Sequence, residues 1–117
     1  MSEAQSTALA SARDLTAFQK NILVVLAEEP RYGLAVKREL EEYYGEEVNH
    51  GRLYPNLDDL VNKGFVEKSE LDKRTNQYAL TEDGLGAVVD SVEWTLEKFL
   101  VDEERAETIR SPVAENR

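Results

Sequence analysis

Cysteine is absent from the 117 residues, and histidine, tryptophan and methionine each occur once. The missing cysteine excludes disulfides, thiolate zinc sites, cysteine nucleophiles and a thiol-based redox switch in this chain. One histidine, His50, without cysteine supplies too few ligands for zinc, so no metal and no other cofactor is expected. Long hydrophobic runs are missing too: the longest, residues 22–27, falls far short of the roughly 18 residues that span a bilayer. Residues 1–12 carry Glu3 where a secretory signal needs positive charge, and no apolar stretch follows. These features predict a cytoplasmic protein with no membrane partner. Basic charge is scarce as well, with 14 Lys and Arg against 24 Asp and Glu, a net charge of -10. Taken alone, that balance argues against a nucleic-acid partner, because phosphate binding rests on Lys and Arg.

What is present is a soluble domain with one core: 41% of residues are apolar and 32% charged, which fits neither a membrane protein nor a disordered chain. The charge is uneven. Residues 1–48 hold 5 basic and 9 acidic side chains, residues 49–80 hold 5 of each, and residues 81–117 hold 4 and 10. The middle of the chain is therefore the least acidic part.

Residues 1–14, rich in Ser and Ala, predict a flexible arm. Leu15, Phe18, Ile22 and Val25 recur at helical spacing, so a first helix is expected over about 15–28, with Asp14 as N-cap and Pro30 beyond its end. A second helix over about 32–44 is closed by Gly45, and a third starts at the N-cap Asn49 and ends before Gly64. Leu53, Leu57, Leu60 and Val61 form the buried stripe of the third helix. Pro55 cannot donate to the Gly51 carbonyl, which predicts a later start or a bent first turn. Residues 65–69 and 77–80 read as strands around a charged hairpin tip at 70–76, and the four residues around Arg31 are too few to establish a further strand that would complete the sheet. Thr81 then caps a long helix on which Leu85, Val89, Val92, Leu96 and Phe99 step by four, three, four and three, a coiled-coil seam. From Asp102 onward a charged, fraying tail is expected, and Trp94, off the seam, is expected to pack the long helix back onto the core. The order α-α-α-β-β-α is a mainly α (α+β) winged helix-turn-helix. Residues 15–80 form its winged domain, 81–101 the long helix and 102–117 the tail.

The segments Pro30-Arg31-Tyr32-Gly33-Leu34, Gly51-Arg52-Leu53-Tyr54-Pro55-Asn56-Leu57, Lys63-Gly64-Phe65-Val66 and Tyr78-Ala79-Leu80-Thr81-Glu82-Asp83-Gly84 stand in the order and spacing of PadR-type winged-helix regulators. The chain resembles that family over about residues 15–100, and its acidity fits a member from a high-salt cytoplasm. The resemblance implies a homodimeric transcription factor acting in a stress response. The helix at 50–63 would read DNA, the wing at 72–76 would touch backbone or minor groove, and the helix at 81–100 would form the dimer.

Arg52 and Asn56 lie one helical turn apart, and their side chains suit guanine and adenine edges respectively. His50 at the helix start and Lys73, Arg74 and Asn76 at the hairpin suit phosphate or minor-groove contact. Asn49 and Lys63, at the two ends of the reading helix, complete the expected DNA-binding set. Leu85, Val89, Val92, Leu96 and Phe99 are the expected dimerisation set. Paired carboxylates such as Glu41-Glu42, Glu46-Glu47 and Asp58-Asp59 come without a nucleophile or phosphate loop, and neighbours on a helix point apart, so no enzyme is expected. The partners predicted are duplex DNA, a second copy of the chain and salt cations at the DNA interface. The alternative is a winged-helix protein-interaction module that does not bind DNA, which the net charge favours.

Overall fold

A computed structural model describes residues 10–72 and 75–115, with side chains up to Arg110. Helix α1, Ala17–Glu28, begins at a capping box. The Thr16 hydroxyl accepts from the Gln19 backbone N–H at 3.1 Å, and the Gln19 side chain accepts from the Thr16 N–H at 3.3 Å. The reciprocal pair satisfies two donors that a helix start would otherwise orphan, so the cap falls on Thr16 and not on Asp14. The end of the expected arm is also packed: residues 10–13 are helical, Ala12 and Leu15 are buried, and the Arg13 guanidinium donates to both carboxylate oxygens of Asp90 at 2.9 and 3.0 Å.

Helix α2, Gly33–Tyr44, stops at Gly45, whose φ of 72° is the left-handed conformation that favours glycine. Helix α3, His50–Asn62, starts where Asn49 Oδ1 accepts from the Gly51 N–H at 2.6 Å. It runs on through Pro55 and ends before Gly64, so proline does not delay its start. The sheet is antiparallel with strand order β1-β3-β2, where β1 is Arg31–Tyr32, β2 Val66–Asp72 and β3 Thr75–Leu80. The strand at Arg31, which the sequence left open, is present and pairs with Tyr78. The hairpin is longer than its composition suggests. Its charged residues are exposed but still extended, because ladder hydrogen bonds hold a solvated ribbon without any apolar period. The tip, positions 73 and 74, lies outside the described residues.

Helix α4, Glu82–Phe99, is tied to the core at its start. The Thr81 hydroxyl donates to the Gly64 carbonyl at 2.6 Å and accepts from the Gly84 N–H at 3.0 Å. A Cβ at Gly84 would collide with the Phe65 carbonyl oxygen, so only glycine lets this turn sit against the sheet. The expected tail is instead a helix, α5, Glu103–Glu115, which Asp102 caps by accepting from the Arg105 N–H at 2.9 Å. Trp94 does not pack onto the core: it is 62% exposed, with Lys98 Nζ 5.9 Å from its ring. The core gathers Phe18, Ile22, Leu23 and Leu26 of α1, Val36 and Leu40 of α2, and Leu53, Leu57 and Leu60 of α3 against Phe65, Val66 and Tyr78. No helix among the described residues is long and apolar enough to cross a membrane.

Candidate nucleic-acid interface

Helix α3 turns Leu53, Leu57 and Leu60 fully inward, which leaves its other side to polar residues. Their placement is more constrained than the helical spacing implies. Arg52 does not extend beside Asn56: its guanidinium carbon lies 3.9 Å from the centre of the Phe18 ring and 6.0 Å from that of Tyr44. The Asn56 amide donates to the Arg52 carbonyl at 2.7 Å. His50 is exposed and stacks on Tyr54, with centroids 5.7 Å apart and planes 5° from parallel. Asn49 is occupied as the N-cap. Lys63, at the far end of the helix, pairs with Asp59 at 2.7 Å. Asn76 stands in β3, close to Tyr54, and Lys73 and Arg74 lie outside the described residues.

The carboxylates near this face are engaged. Asp59 accepts from Lys63 at 2.7 Å and from the Gln19 amide at 2.8 Å, which holds its pKa below the ordinary aspartate range and ties α3 to α1. Asp58 lies 3.9 Å from Lys68 of the wing. On α2, Glu41 accepts from Lys37 at 2.7 Å and from the Val48 N–H at 2.9 Å, and both bonds lower its pKa. Acidic charge here therefore braces the fold and pairs with local cations.

Two groups of residues escaped the sequence reading. Arg38 on α2 pairs with no carboxylate among the described residues, and it borders a crevice with Tyr54 of α3 and Asn76 and Tyr78 of β3. The only signal for it was the recurrence of tyrosine beside glycine or proline, at Tyr32 and Tyr54, which spacing alone does not connect. The second is Gln19, whose bond to Asp59, 40 positions away, braces α3 against α1.

Helix α4 presents Leu85, Val89, Val92 and Phe99 at 40–50% exposure, with Leu96 half-buried between them. Val92 also borders a groove with Leu15, Leu23 and Val24.

The profile of the transcriptional regulator PadR-like family matches residues 22–88, which run from α1 through the wing into α4. A structure of RosR from Halobacterium salinarum, grown from NaBr, is 76% identical with a TM-score of 0.86, covering 90% of this chain and 96% of that one. A complex structure of hsRosR-S1 is likewise 76% identical, with a TM-score of 0.86 over 90% of this chain and 94% of that chain. PadR of Bacillus subtilis in complex with operator DNA is 22% identical, with a TM-score of 0.56 over 66% of this chain and 47% of that chain, a likeness of fold alone. No curated protein matches. The winged helix-turn-helix, the motifs along it and these likenesses agree: the chain belongs to the PadR-like family of transcriptional regulators, and is not an enzyme.

Proposed function

We propose that this regulator binds duplex DNA sequence-specifically as a homodimer, with α3 in the major groove, the β2–β3 wing along the backbone and α4 against α4 of a second copy. The observation that carries the reading is that the acidic excess of the chain is locally neutralised around α3. Around α3, Asp58 and Asp59 are paired with lysines, whereas Arg52 and Arg38 have no carboxylate partner among the described residues. The net charge of -10 thus does not describe the reading face. The operator DNA named for the Bacillus subtilis PadR structure is the kind of partner this fold accommodates.

Arg52 is the principal base-reading side chain, with Asn56, His50 and Asn49 beside it and Asn76, Lys73, Arg74 and Lys63 contacting backbone. To reach a base, Arg52 leaves the Phe18 ring, giving up a cation–π contact worth about 0.5–1 kcal/mol at an exposed site. A two-fold dimer meets a roughly palindromic site with half-site centres about 10 bp apart, or a multiple of that. In a high-salt cytoplasm the screening length is about 3 Å, so distant carboxylates stop repelling DNA and local contacts decide. Salt cations taken up at the DNA interface oppose the usual counterion release.

Fluorescence anisotropy against genomic fragments at several KCl concentrations tests this reading. The expected outcome is specific binding that stays flat or rises with KCl in the molar range, and Arg52→Ala costing about 1–3 kcal/mol with relaxed preference at one position per half-site. The competing reading, a protein-interaction module, is favoured by the overall acidity. Absence of binding to any duplex between about 0.1 and about 3 M KCl would decide for it.

A further inference from the structure

Between the last two turns of α1 and the C-terminal half of α2 runs an open groove of about 370 Å³. Its floor is apolar, with Leu40 fully buried and Val25 half-buried. Val24 and Tyr43 stand at its sides at 53% and 74% exposure. Tyr43 rests edge-on against Tyr44, with ring centroids 5.2 Å apart, and leaves the rest of its ring to water. The two walls are fixed to each other, because the Asn21 amide of α1 donates to the Tyr44 hydroxyl of α2 at 2.8 Å. A cleft already formed loses little freedom when it is filled.

The rim of this groove is acidic. Glu28 and Glu39 line it, no Lys or Arg does, and Glu29 caps the end of α1 beside them. Three carboxylates share one cation: Arg31 of β1 donates to Glu28, while Glu29 and Glu39 lie 3.5 and 3.6 Å from the other terminal nitrogen of the same guanidinium. Arg31 Nε is buried without a hydrogen-bond partner. Each carboxylate is thus held through a single nitrogen, without the two-point fork by which Arg13 grips Asp90 at 2.9 and 3.0 Å. Glu29 and Glu39 keep their acceptor positions, and the rim stays net negative. The helix dipole adds to the deficit, since Glu28 and Glu29 sit at the negative end of α1 and its last turn holds no basic residue. Acidic charge is ordinary on this chain; what singles this rim out is the exposed apolar groove it encloses.

An apolar floor inside an acidic rim fits a segment with one apolar stripe and basic flanks. From Asn21 to Glu28 the wall is about 10 Å long, two helical turns, so the docked segment is short. We propose that the groove between α1 and α2 docks a basic amphipathic helix of a partner protein. Apolar residues at helical spacing enter between Val24, Val25 and Tyr43, and Lys or Arg side chains on the flanks complete the pairing left open at Glu29 and Glu39. The sign of the rim repels nucleic acid, and a second copy of the chain, with its own net charge of -10, is a poorer electrostatic match. The contact uses neither α3 nor the α4 seam, so it stands whether or not the DNA reading does.

The test uses the full chain and fluorescence anisotropy with a labelled peptide of about 15 residues, leucine at helical spacing along one stripe and lysine and arginine on the flanks. The same composition in scrambled order, and a version with glutamate for lysine and arginine, are the controls. So small an interface predicts a dissociation constant of about 10–100 μM in about 0.1 M KCl, with both controls at least about tenfold weaker. Glu39→Lys and Tyr43→Ala should each weaken the basic peptide about tenfold, with thermal melting near that of wild type because both side chains are largely exposed. Glu46→Gln, which removes an exposed carboxylate outside the groove, should change nothing. If Glu46→Gln and Glu39→Gln weaken binding equally, the peptide is merely attracted to an acidic protein and the proposal is overturned. It is overturned as well if wild type binds the scrambled peptide as tightly as the amphipathic one, or shows no saturation by about 1 mM protein. Sedimentation of the same variants examines the other occupant: a loss of self-association in Tyr43→Ala or Glu39→Lys would make the groove an interface between copies, and the proposal would fall. Arg52→Ala should bind the peptide as wild type does, which separates failure here from failure of the DNA reading.

Discussion

Helices α3 and α4 carry equally plain apolar stripes, yet one is hidden and the other is not. On α3, Leu53, Leu57 and Leu60 are 0% exposed, packed under α1 and the sheet; on α4, Leu85, Val89 and Val92 stand at 44–50%. The difference comes from what each helix turns to its own core. Helix α4 docks through small residues, Gly84 and Ala87, with Val88 beside them, and keeps its larger residues on the outer side. A stripe is therefore not evidence of burial within one chain. A helix with two apolar sides, one small and one large, holds its place in the core by the first and leaves the second for another surface.

That contrast breaks most visibly on α3. Leu57→Ala should lower unfolding stability by about 2–5 kcal/mol, because the emptied space lies deep in the core, and the loss should not depend on protein concentration in denaturant titrations. On α4, Leu96→Glu should weaken self-association about 100-fold or more, since a carboxylate would have to leave water in the seam, while monomer melting stays near that of wild type. Analytical ultracentrifugation over a concentration series separates the two, and an intact dimer at wild-type affinity would remove α4 as the interface. A smaller effect is expected where α1 begins. Thr16→Ala breaks the capping box and should cost about 1 kcal/mol without altering association.

The smallest effect is a matter of pH. The Asp59 pKa is depressed in the folded chain by Lys63 and then Gln19, so its contribution is fully present above the ordinary aspartate value of 3.8 and is lost as pH falls through the lower folded value. Asp59→Asn should flatten that acid limb of the stability profile and leave stability above it reduced, with α4 association unchanged. An acid limb identical to that of wild type would show that the bridge from α1 to α3 contributes nothing measurable.

Local chemistry made much of this molecule legible in one dimension. Gly45, Asn49, Gly64 and Thr81 mark helix ends because each acts through its own backbone or through residues two to four positions away, and those interactions travel with the sequence. The leucine periods of α3 and α4 are equally local. Where two local signals competed, the outcome depended on packing: Asp14 and Thr16 are both able caps, and Thr16 prevails because Gln19 returns its hydrogen bond while Leu15 and Ala12 are drawn into the core. The charged hairpin hid its strands because ladder hydrogen bonds are made by the backbone and leave no period in side chains that are solvated on both faces.

Arg52 shows the limit most clearly. Its spacing from Asn56 is a property of the helix, but its guanidinium lies on Phe18, 34 positions away, and no rule of spacing connects the two. The same holds for the crevice of Arg38, Tyr54, Asn76 and Tyr78, which three elements bring together. By itself the sequence determined the order of helices and strands between about residues 15 and 100, several of their ends and the stripes they carry, since these arise from forces acting within about one helical turn or one strand. Which stripe was covered, which carboxylates became braces and which polar groups were left facing an open crevice, only the tertiary structure decided, because burial and pairing depend on residues that meet only after the chain has closed on itself.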